Sequence, residues 1–499
     1  MQTMNPERNA IAVEMHGITK RFPGTIANQA IEFTVKAGEI HALLGENGAG
    51  KTTLMNILSG WYEPDAGEMR LFGQSVQFRS PKAAIRAGIG MVHQHFMLVE
   101  SFTVAENIIL GTARSIVREP LQRLHARLQR LADQYGLKVN PAAEVWQLSV
   151  GEQQRIEILK ALYRNARILI LDEPTAVLTP QEAEDLSTTL RSLSAQGTTI
   201  IFISHKLKEV MTLCDRVTVL RDGQTVGTIA VQNTTERELA QMMVGREVDL
   251  LRKPLALTKA ITPALTLKDL WVIGDRGLPA LRGIDLTVHA GEILGIAGVD
   301  GNGQRELEEA IVGLRTAKGE IRLNGKLAHI PSDRYSMGLL TEFSIAENLV
   351  LKDVQYPPFS WKGFLRSKFI LKSAIDLIQQ FLIRAPSATV RAGKLSGGNA
   401  QKVVFARELS REHQILLAAQ PSRGLDIGAT EFVHAQLIAR RDAGTAVLLI
   451  STELDEIVRL SDRIAVLYEG EIVEILDAAQ AAAADLDRLG LLMAGRNSA

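Results

Sequence analysis

The chain repeats itself, and the repeat limits what it can fold into. Ala37-Gly38-Glu39-Ile40 recurs as Ala290-Gly291-Glu292-Ile293, and Thr34-Val35 as Thr287-Val288. Thr103-Val104-Ala105-Glu106-Asn107 recurs as Ser344-Ile345-Ala346-Glu347-Asn348, and Asp215-Arg216-Val217-Thr218-Val219-Leu220 as Asp462-Arg463-Ile464-Ala465-Val466-Leu467. Two copies of the same segments in the same order describe a tandem duplication of a single fold, not a many-unit solenoid. The chain has 499 residues, more than one ordinary core holds, and length alone suggests about two or three domains. The seam falls where Pro254 and Pro263 flank a short mixed stretch. The expected domains are therefore residues 1–248 and 265–499, with 249–264 as a linker short enough to set the halves side by side.

Continuous apolar runs such as Ile168-Leu169-Ile170-Leu171 and Thr199-Ile200-Ile201-Phe202-Ile203 predict strands buried on both faces of a parallel sheet. Strands alternating with helices make each half α/β. Leu121, Leu124, Leu128 and Leu131 fall at helical spacing with Arg123, Arg127 and Arg130 between them, which predicts a half-exposed helix with a solvated arginine face.

Within the first copy, Gly45-Glu46-Asn47-Gly48-Ala49-Gly50-Lys51-Thr52 fills every fixed position of the phosphate-binding loop G-x-x-x-x-G-K-[ST]. The apolar run Ile40, Ala42, Leu43, Leu44 precedes it, and Thr53-Leu54-Met55-Asn56-Ile57-Leu58 follows as a helix. Glycines let successive backbone N–H groups turn inward on phosphate oxygens, and the helix N-terminus adds partial positive charge. Lys51 is expected to reach the β- and γ-phosphates and the Thr52 hydroxyl to reach Mg²⁺. Leu171-Asp172-Glu173-Pro174-Thr175 ends one of the buried strands. A carboxylate at such a tip holds Mg²⁺, the role expected of Asp172, and Glu173 beside it is placed to deprotonate the attacking water. Ser204-His205 ends the next strand, where His205 is expected to meet the γ-phosphate.

Composition adds exclusions. The 56 basic residues cancel the 56 acidic ones, so no global field draws the chain to nucleic acid or to an acidic membrane surface, and only a local patch is left to do so. One cysteine, Cys214, allows no intramolecular disulfide, which suits a reducing compartment; a small buried apolar role is expected for it. Residues 1–9 lack the apolar core of a secretory signal. No stretch approaches the roughly 20 apolar residues that span a bilayer, so membrane association is expected only through a partner.

Two further segments, Leu148-Ser149-Val150-Gly151-Glu152-Gln153-Gln154-Arg155 and Leu395-Ser396-Gly397-Gly398-Asn399-Ala400-Gln401-Lys402, resemble the LSGGQ signature of ATP-binding cassette (ABC) ATPases. With the phosphate loop, Gln94 after a strand, the LDEPT segment and His205, the resemblance runs through the motif order twice. It implies two tandem ABC-type P-loop ATPase domains, each a RecA-like parallel sheet core with an antiparallel β subdomain and a helical subdomain. ATP and Mg²⁺ are the implied cofactors. Gly45, Glu46, Asn47, Gly48, Ala49, Gly50, Lys51, Thr52 and Thr53 are then ATP contacts, Phe22 stacks on adenine, and Gln94 joins Thr52 and Asp172 at the metal. Family members close head to tail, so the resemblance also implies ATP contacts from Ser396, Gly397 and Gly398.

The second copy has changed at its chemical positions. Gly298-Val299-Asp300-Gly301-Asn302-Gly303-Gln304-Arg305 keeps the glycines but has Gln304 where Lys51 stands and Arg305 where Thr52 stands. Ala419 stands for Asp172, Gln420 for Glu173 and Thr452 for His205. The second half is expected to be unable to hydrolyse ATP. Its signature and the Gly424-Leu425-Asp426 stretch are intact, whereas the first half has Val150 and Glu152 in its signature and Leu178-Thr179 where that aspartate is expected. One hydrolytic site per chain follows.

A fused pair without membrane spans resembles the double-cassette ATPases of bacterial sugar and nucleoside importers. Val92-His93-Gln94-His95-Phe96-Met97-Leu98-Val99 and Leu417-Ala418-Ala419-Gln420-Pro421 are similar to the nucleoside, or BMP-type, branch; the ribose and galactose branch keeps Asp-Glu at 419–420. Integral-membrane permease subunits, an extracytoplasmic solute-binding protein, no nucleic acid and a peripheral place on the cytoplasmic face of the bacterial cell membrane are implied. Phe359-Ser360-Trp361 and Lys362-Gly363-Phe364 read either as a permease contact or as core. Soluble tandem cassettes acting on ribosomes share the motif order, but carry a long charged linker and two competent sites.

Overall fold

The computed structural model describes residues 10–23, 25–93, 96–112, 120–175, 178, 180–246, 262–482, 486–493 and 495. Gln94, Thr179 and most of the stretch 249–264 lie outside the described residues. The chain divides into two compact units, residues 1–248 and 249–499.

The strands of the first unit are β1 (Ile11–Phe22), β2 (Thr25–Lys36), β3 (Ile40–Leu44), β4 (Ala66–Leu71), β5 (Gln74–Val76), β6 (Ile89–Val92), β7 (Ile168–Asp172), β8 (Thr199–Ser204), β9 (Arg216–Arg221) and β10 (Gln224–Ala230). They form an antiparallel sheet of order β2-β1-β4-β5 and a six-stranded sheet of order β10-β9-β3-β8-β7-β6, parallel except at the β10 edge. In β2 buried Ile31, Phe33 and Val35 alternate with Glu32 and Thr34, the pattern of a strand with one wet face. Every residue of β3, β7 and β8 is buried, as the continuous apolar runs require of strands covered on both faces. Leu43, Ile170 and Ile203 share a core with Val13, Met15 and Phe33 of the antiparallel sheet and with Leu54 and Ile57. The strand order sets the ends of β3, β8 and β7 side by side, Leu44 opposite Ser204 and Ile203 opposite Asp172.

Between β6 and β7 come the helices Val104–Ile109, Leu121–Gln134 and Val150–Tyr163. The second buries Leu124, Leu128 and Ala132; of the other two spaced leucines Leu121 is exposed and Leu131 half-buried. Its Arg127 departs from the expected solvated face: the guanidinium lies 5.1 Å over the Tyr163 ring, covering apolar surface with an aromatic partner. Cys214 is buried, and burial pushes its thiol well above the usual range, so it sits as a small apolar side chain.

The second unit repeats the plan with β11 (Pro263–Ile273), β12 (Pro279–His289), β13 (Ile293–Ala297), β14 (Ala317–Leu323), β15 (Leu327–Ile330), β16 (Ser360–Trp361), β17 (Phe364–Leu365), β18 (Ile415–Ala419), β19 (Ala446–Ser451), β20 (Arg463–Tyr468) and β21 (Glu471–Leu476). Its sheets have the orders β12-β11-β14 and β15-β18-β19-β13-β20-β21, with β16-β17 as a separate hairpin. Repeated anchors hold both copies in register. Asp215 accepts from the Ile40 N–H and Asp462 from the Ile293 N–H, each at 2.8 Å.

Candidate active site

The phosphate loop, residues 45–50, joins β3 to the helix Lys51–Leu58. Its glycines are required by space and by backbone. A Cβ on Gly45 would lie 2.4 Å from the Leu220 carbonyl oxygen, and one on Gly50, at φ +96°, would lie 2.3 Å from that of Ala27. Lys51 opens the helix and is only 6% exposed. Its ammonium donates to the Gly45 carbonyl at 2.7 Å and to that of Glu46 at 3.0 Å, so the charge is held inside the curve of the loop. Thr52 is exposed and Thr53 half-buried at the same helix start.

Two strands away, β7 delivers Asp172 and Glu173. Glu173 takes a left-handed φ of 48°, an arrangement that costs a residue with a Cβ of order 1 kcal/mol. Its N–H meanwhile donates to Ile203 at 3.0 Å. The turn aims its carboxylate at His205, whose Nδ1 lies 2.9 Å from Oε1. Burial pushes Glu173 up, but the His205 hydrogen bond and charge, with Lys51 and Lys206, outweigh it and hold the carboxyl below its ordinary value. Glu173 is therefore an anion poised to accept a proton. Asp172 is the opposite case. It is buried, and burial together with the Glu173 charge raises it to about 6 against the pull of Lys51. Its carboxylate makes no hydrogen bond or ion pair among the described residues. A buried, unpaired carboxylate beside a second one is short of a cation, which fits Mg²⁺ supplied with a nucleotide.

Phe22 ends β1 half-buried and meets Tyr62 edge-on at 5.4 Å between centroids. Trp61 and Tyr62, just after the loop helix, are exposed. These two aromatics offer further flat surface for a base and went unread in the sequence, though Gly60-Trp61-Tyr62 closes the helix directly. Also unread were Glu209, which accepts from Thr175 at 2.7 Å and Ser204 at 3.1 Å, and Gln154, which donates to the Pro174 carbonyl at 2.8 Å. Gln401 repeats the last bond to Pro421 at 2.9 Å. These side chains fix the turn carrying Glu173 from both flanks, and the shared offset of the two glutamines was the available signal.

The two signatures differ in what their serines do. Ser149 caps the helix Val150–Tyr163 in a full capping box with Glu152, which places a carboxylate on the helix N-terminus. Ser396 stands at the same place on the helix Gly397–Leu409 without a side-chain cap bond; Asn399 donates to its Oγ at 2.9 Å instead. The second signature thus keeps its helix start clear of acid. In the second loop Gln304, 6% exposed, turns inward: its Nε2 donates to the Val299 carbonyl at 2.8 Å and its Oε1 accepts from the Asn302 N–H at 3.0 Å. The amide plugs the cradle and uses one of its donors. Arg305 pairs with Glu309 at 2.7 Å and Asp275 at 3.4 Å. Gln420 keeps the left-handed turn, φ 46°, but brings only an amide to Thr452.

The ABC transporter family model matches residues 28–176 and again 281–423. The chain is 50% identical to the guanosine import ATP-binding protein NupO of Bacillus subtilis (strain 168), with 97% of each chain covered. It is 46% identical to the nucleoside import ATP-binding protein NupA of Lactococcus lactis subsp. cremoris, over 98% of this chain and 99% of that one. Identity is 44% with the glucose import ATP-binding protein TsgD13 of Haloferax volcanii, over 98% and 96%. Among solved structures, RNase-L inhibitor shares the fold, with a TM-score of 0.65 at 19% identity over 96% of this chain and 92% of that chain.

Proposed function

The chain belongs to the ABC transporter family of ATP-binding proteins, and from that premise we propose that it is the ATPase that energises import of a nucleoside through separate membrane permeases. An extracytoplasmic solute-binding protein is the proposed donor of the solute. The place proposed for the chain is peripheral, on the cytoplasmic face of the membrane; among the described residues no helix is long and apolar enough to cross one. The observation that carries the hydrolytic half of this reading is the contrast between Glu173–His205 and Gln420–Thr452 on otherwise matching turns.

In the proposed reaction the loop N–H groups and Lys51 bind the β- and γ-phosphates. Thr52 and Asp172 would hold Mg²⁺, which supplies charge neutralisation at the phosphates. Glu173 takes the proton of the attacking water as its oxygen bonds to the γ-phosphorus and the bond to the ADP oxygen breaks. His205 orients Glu173 and donates toward the developing charge. Ser396, Gly397 and Gly398 are proposed as further ATP contacts, from a helix start free of acid. Gln94 is proposed at the metal on the resemblance alone.

The 44% identity to a glucose import protein favours a sugar as the second reading. Reconstitution with the permeases and binding protein separates the two. Guanosine-stimulated phosphate release supports the nucleoside; stimulation by ribose or glucose with none by nucleosides replaces it.

A further inference from the structure

The second unit carries a short finger that nucleotide chemistry does not use. β16 and β17 pair antiparallel, Trp361 opposite Phe364 and Ser360 opposite Leu365. Their two-residue turn has φ 48° at Lys362 and 85° at Gly363, and two consecutive left-handed residues make the turn whose twist suits a tight hairpin. The base is fastened. The Arg366 N–H donates to the Phe359 carbonyl at 2.8 Å, the Ser360 hydroxyl donates to that of Gln355 at 2.6 Å, and Phe359 packs on the core of the unit. The tip faces water: Trp361 is 60% exposed, Phe364 79% and Leu365 62%. Such a group of apolar side chains on a rigid tip marks an interaction surface.

Its charge says what it meets. Residues 354–375, between Asp353 and Asp376, hold Lys362, Arg366, Lys368 and Lys372 and no acid, in a chain of no net charge. None of the four forms an ion pair among the described residues. On the helix Ser367–Gln380, which follows the hairpin, Lys368, Leu371, Lys372 and Ile375 are all exposed. They are three and four residues apart, so cations and apolar side chains share one face. Aromatic and aliphatic tips flanked by lysine and arginine suit the interfacial layer of a bilayer, where rings settle at headgroup depth and cations meet lipid phosphates. A protein groove would ask for concave complementarity, and acidic residues of its own would be needed to answer Lys362, Lys368 and Lys372; the Arg366 guanidinium already lies 3.7 Å over the Phe369 ring.

We propose that this hairpin and the Lys368–Lys372 face dock directly on an anionic phospholipid surface, with Trp361, Phe364 and Leu365 entering the interface. The contact is made by the ATPase chain itself and needs neither permease nor solute, so it stands or falls apart from the transport reading. The full chain, without permeases, should co-sediment with vesicles of phosphatidylglycerol and phosphatidylcholine, not with phosphatidylcholine alone, and salt should release it. Replacing Trp361, Phe364 and Leu365 together by Ser should cut the bound fraction at least about tenfold, with ATP turnover in solution unchanged. Should that variant fail to fold, K362E/R366E/K368E/K372E decides, and is expected to lose binding to the same vesicles. No binding of the unaltered chain to the anionic vesicles, or equal binding by the folded variants, overturns the proposal. So does an unaltered chain that ignores vesicles but loses detergent-solubilised permeases on the triple substitution, which would make the finger a protein contact.

Discussion

His205 Nδ1 lies 2.9 Å from Glu173 Oε1, while the matching pair in the second unit is an amide and a hydroxyl, Thr452 Oγ1 donating to Gln420 Oε1 at 3.2 Å. The backbone around both is the same. Glu173 and Gln420 are left-handed, and their N–H groups donate across to Ile203 and Ile450 at 3.0 and 2.7 Å. The fold therefore accepts glutamine at this turn, which leaves the Glu173 carboxylate to the proposed chemistry. Glu173→Gln should fold normally, keep nucleotide binding and lower ATP turnover by roughly 10²–10⁴-fold. Phosphate release and equilibrium binding of a fluorescent ATP analogue measure the two; a rate near that of the unaltered chain would remove Glu173 as the base.

Lys51 and Gln304 fill the same corner of their loops with different consequences. Lys51→Ala removes a buried ammonium that holds two carbonyls and, in the proposed complex, the phosphates. ATP binding should weaken by about 2–4 kcal/mol, roughly 30- to 1000-fold in Kd. Gln304→Ala frees the Asn302 N–H that the amide occupies and should leave turnover unchanged. Titration calorimetry on both variants checks this: Lys51→Ala with intact affinity contradicts the assignment.

The signature serines give opposite expectations. Ser149 accepts from the Glu152 N–H, so Ser149→Ala should cost about 1 kcal/mol of stability and leave turnover alone. Ser396 makes no such cap bond and accepts only from the Asn399 amide, so Ser396→Ala should cost less stability than Ser149→Ala and lower turnover. Thermal unfolding beside ATPase rates separates the two; a destabilised Ser396→Ala with unaltered turnover would assign Ser396 to structure.

The phosphate loop, the tip of β7 and the duplication were legible in the sequence because each is local: glycines, a lysine and acids at fixed offsets from apolar runs. The unlike roles of Ser149 and Ser396 were written there too, as Ser-x-x-Glu against Ser-x-x-Asn, but a family signature hides the capping box beneath it. Long-range bonds left no such trace. The Gln154 bond to the Pro174 carbonyl shows in the sequence only through its repeat at Gln401, and the Arg127 contact with Tyr163 depends on how two helices pack. The inward turn of Gln304 likewise needs the loop in three dimensions, since its length and polarity alone fit an outward side chain.

Acid should act on the second unit through Glu408. It is buried and takes Lys352 at 2.6 Å and Arg407 at 2.9 Å. Burial pushes its carboxyl up, but the charges and hydrogen bonds of Lys352 and Arg407 outweigh that and hold it below the ordinary value of 4.5. A depressed carboxyl contributes its full stability above the unfolded value and loses it as pH falls through the folded one. Glu408→Gln leaves the buried Arg407 without its anion, at a cost of about 2–4 kcal/mol near pH 7, reduced by the partial exposure of Lys352. The same substitution should cost progressively less as the pH falls from the ordinary carboxylate value toward the lower folded one, where the unaltered chain protonates Glu408 as well. Urea unfolding followed over that range tests the sign: a penalty that stays constant down to acid pH would mean that Glu408 stabilises the unit by shape and hydrogen bonding, not by charge.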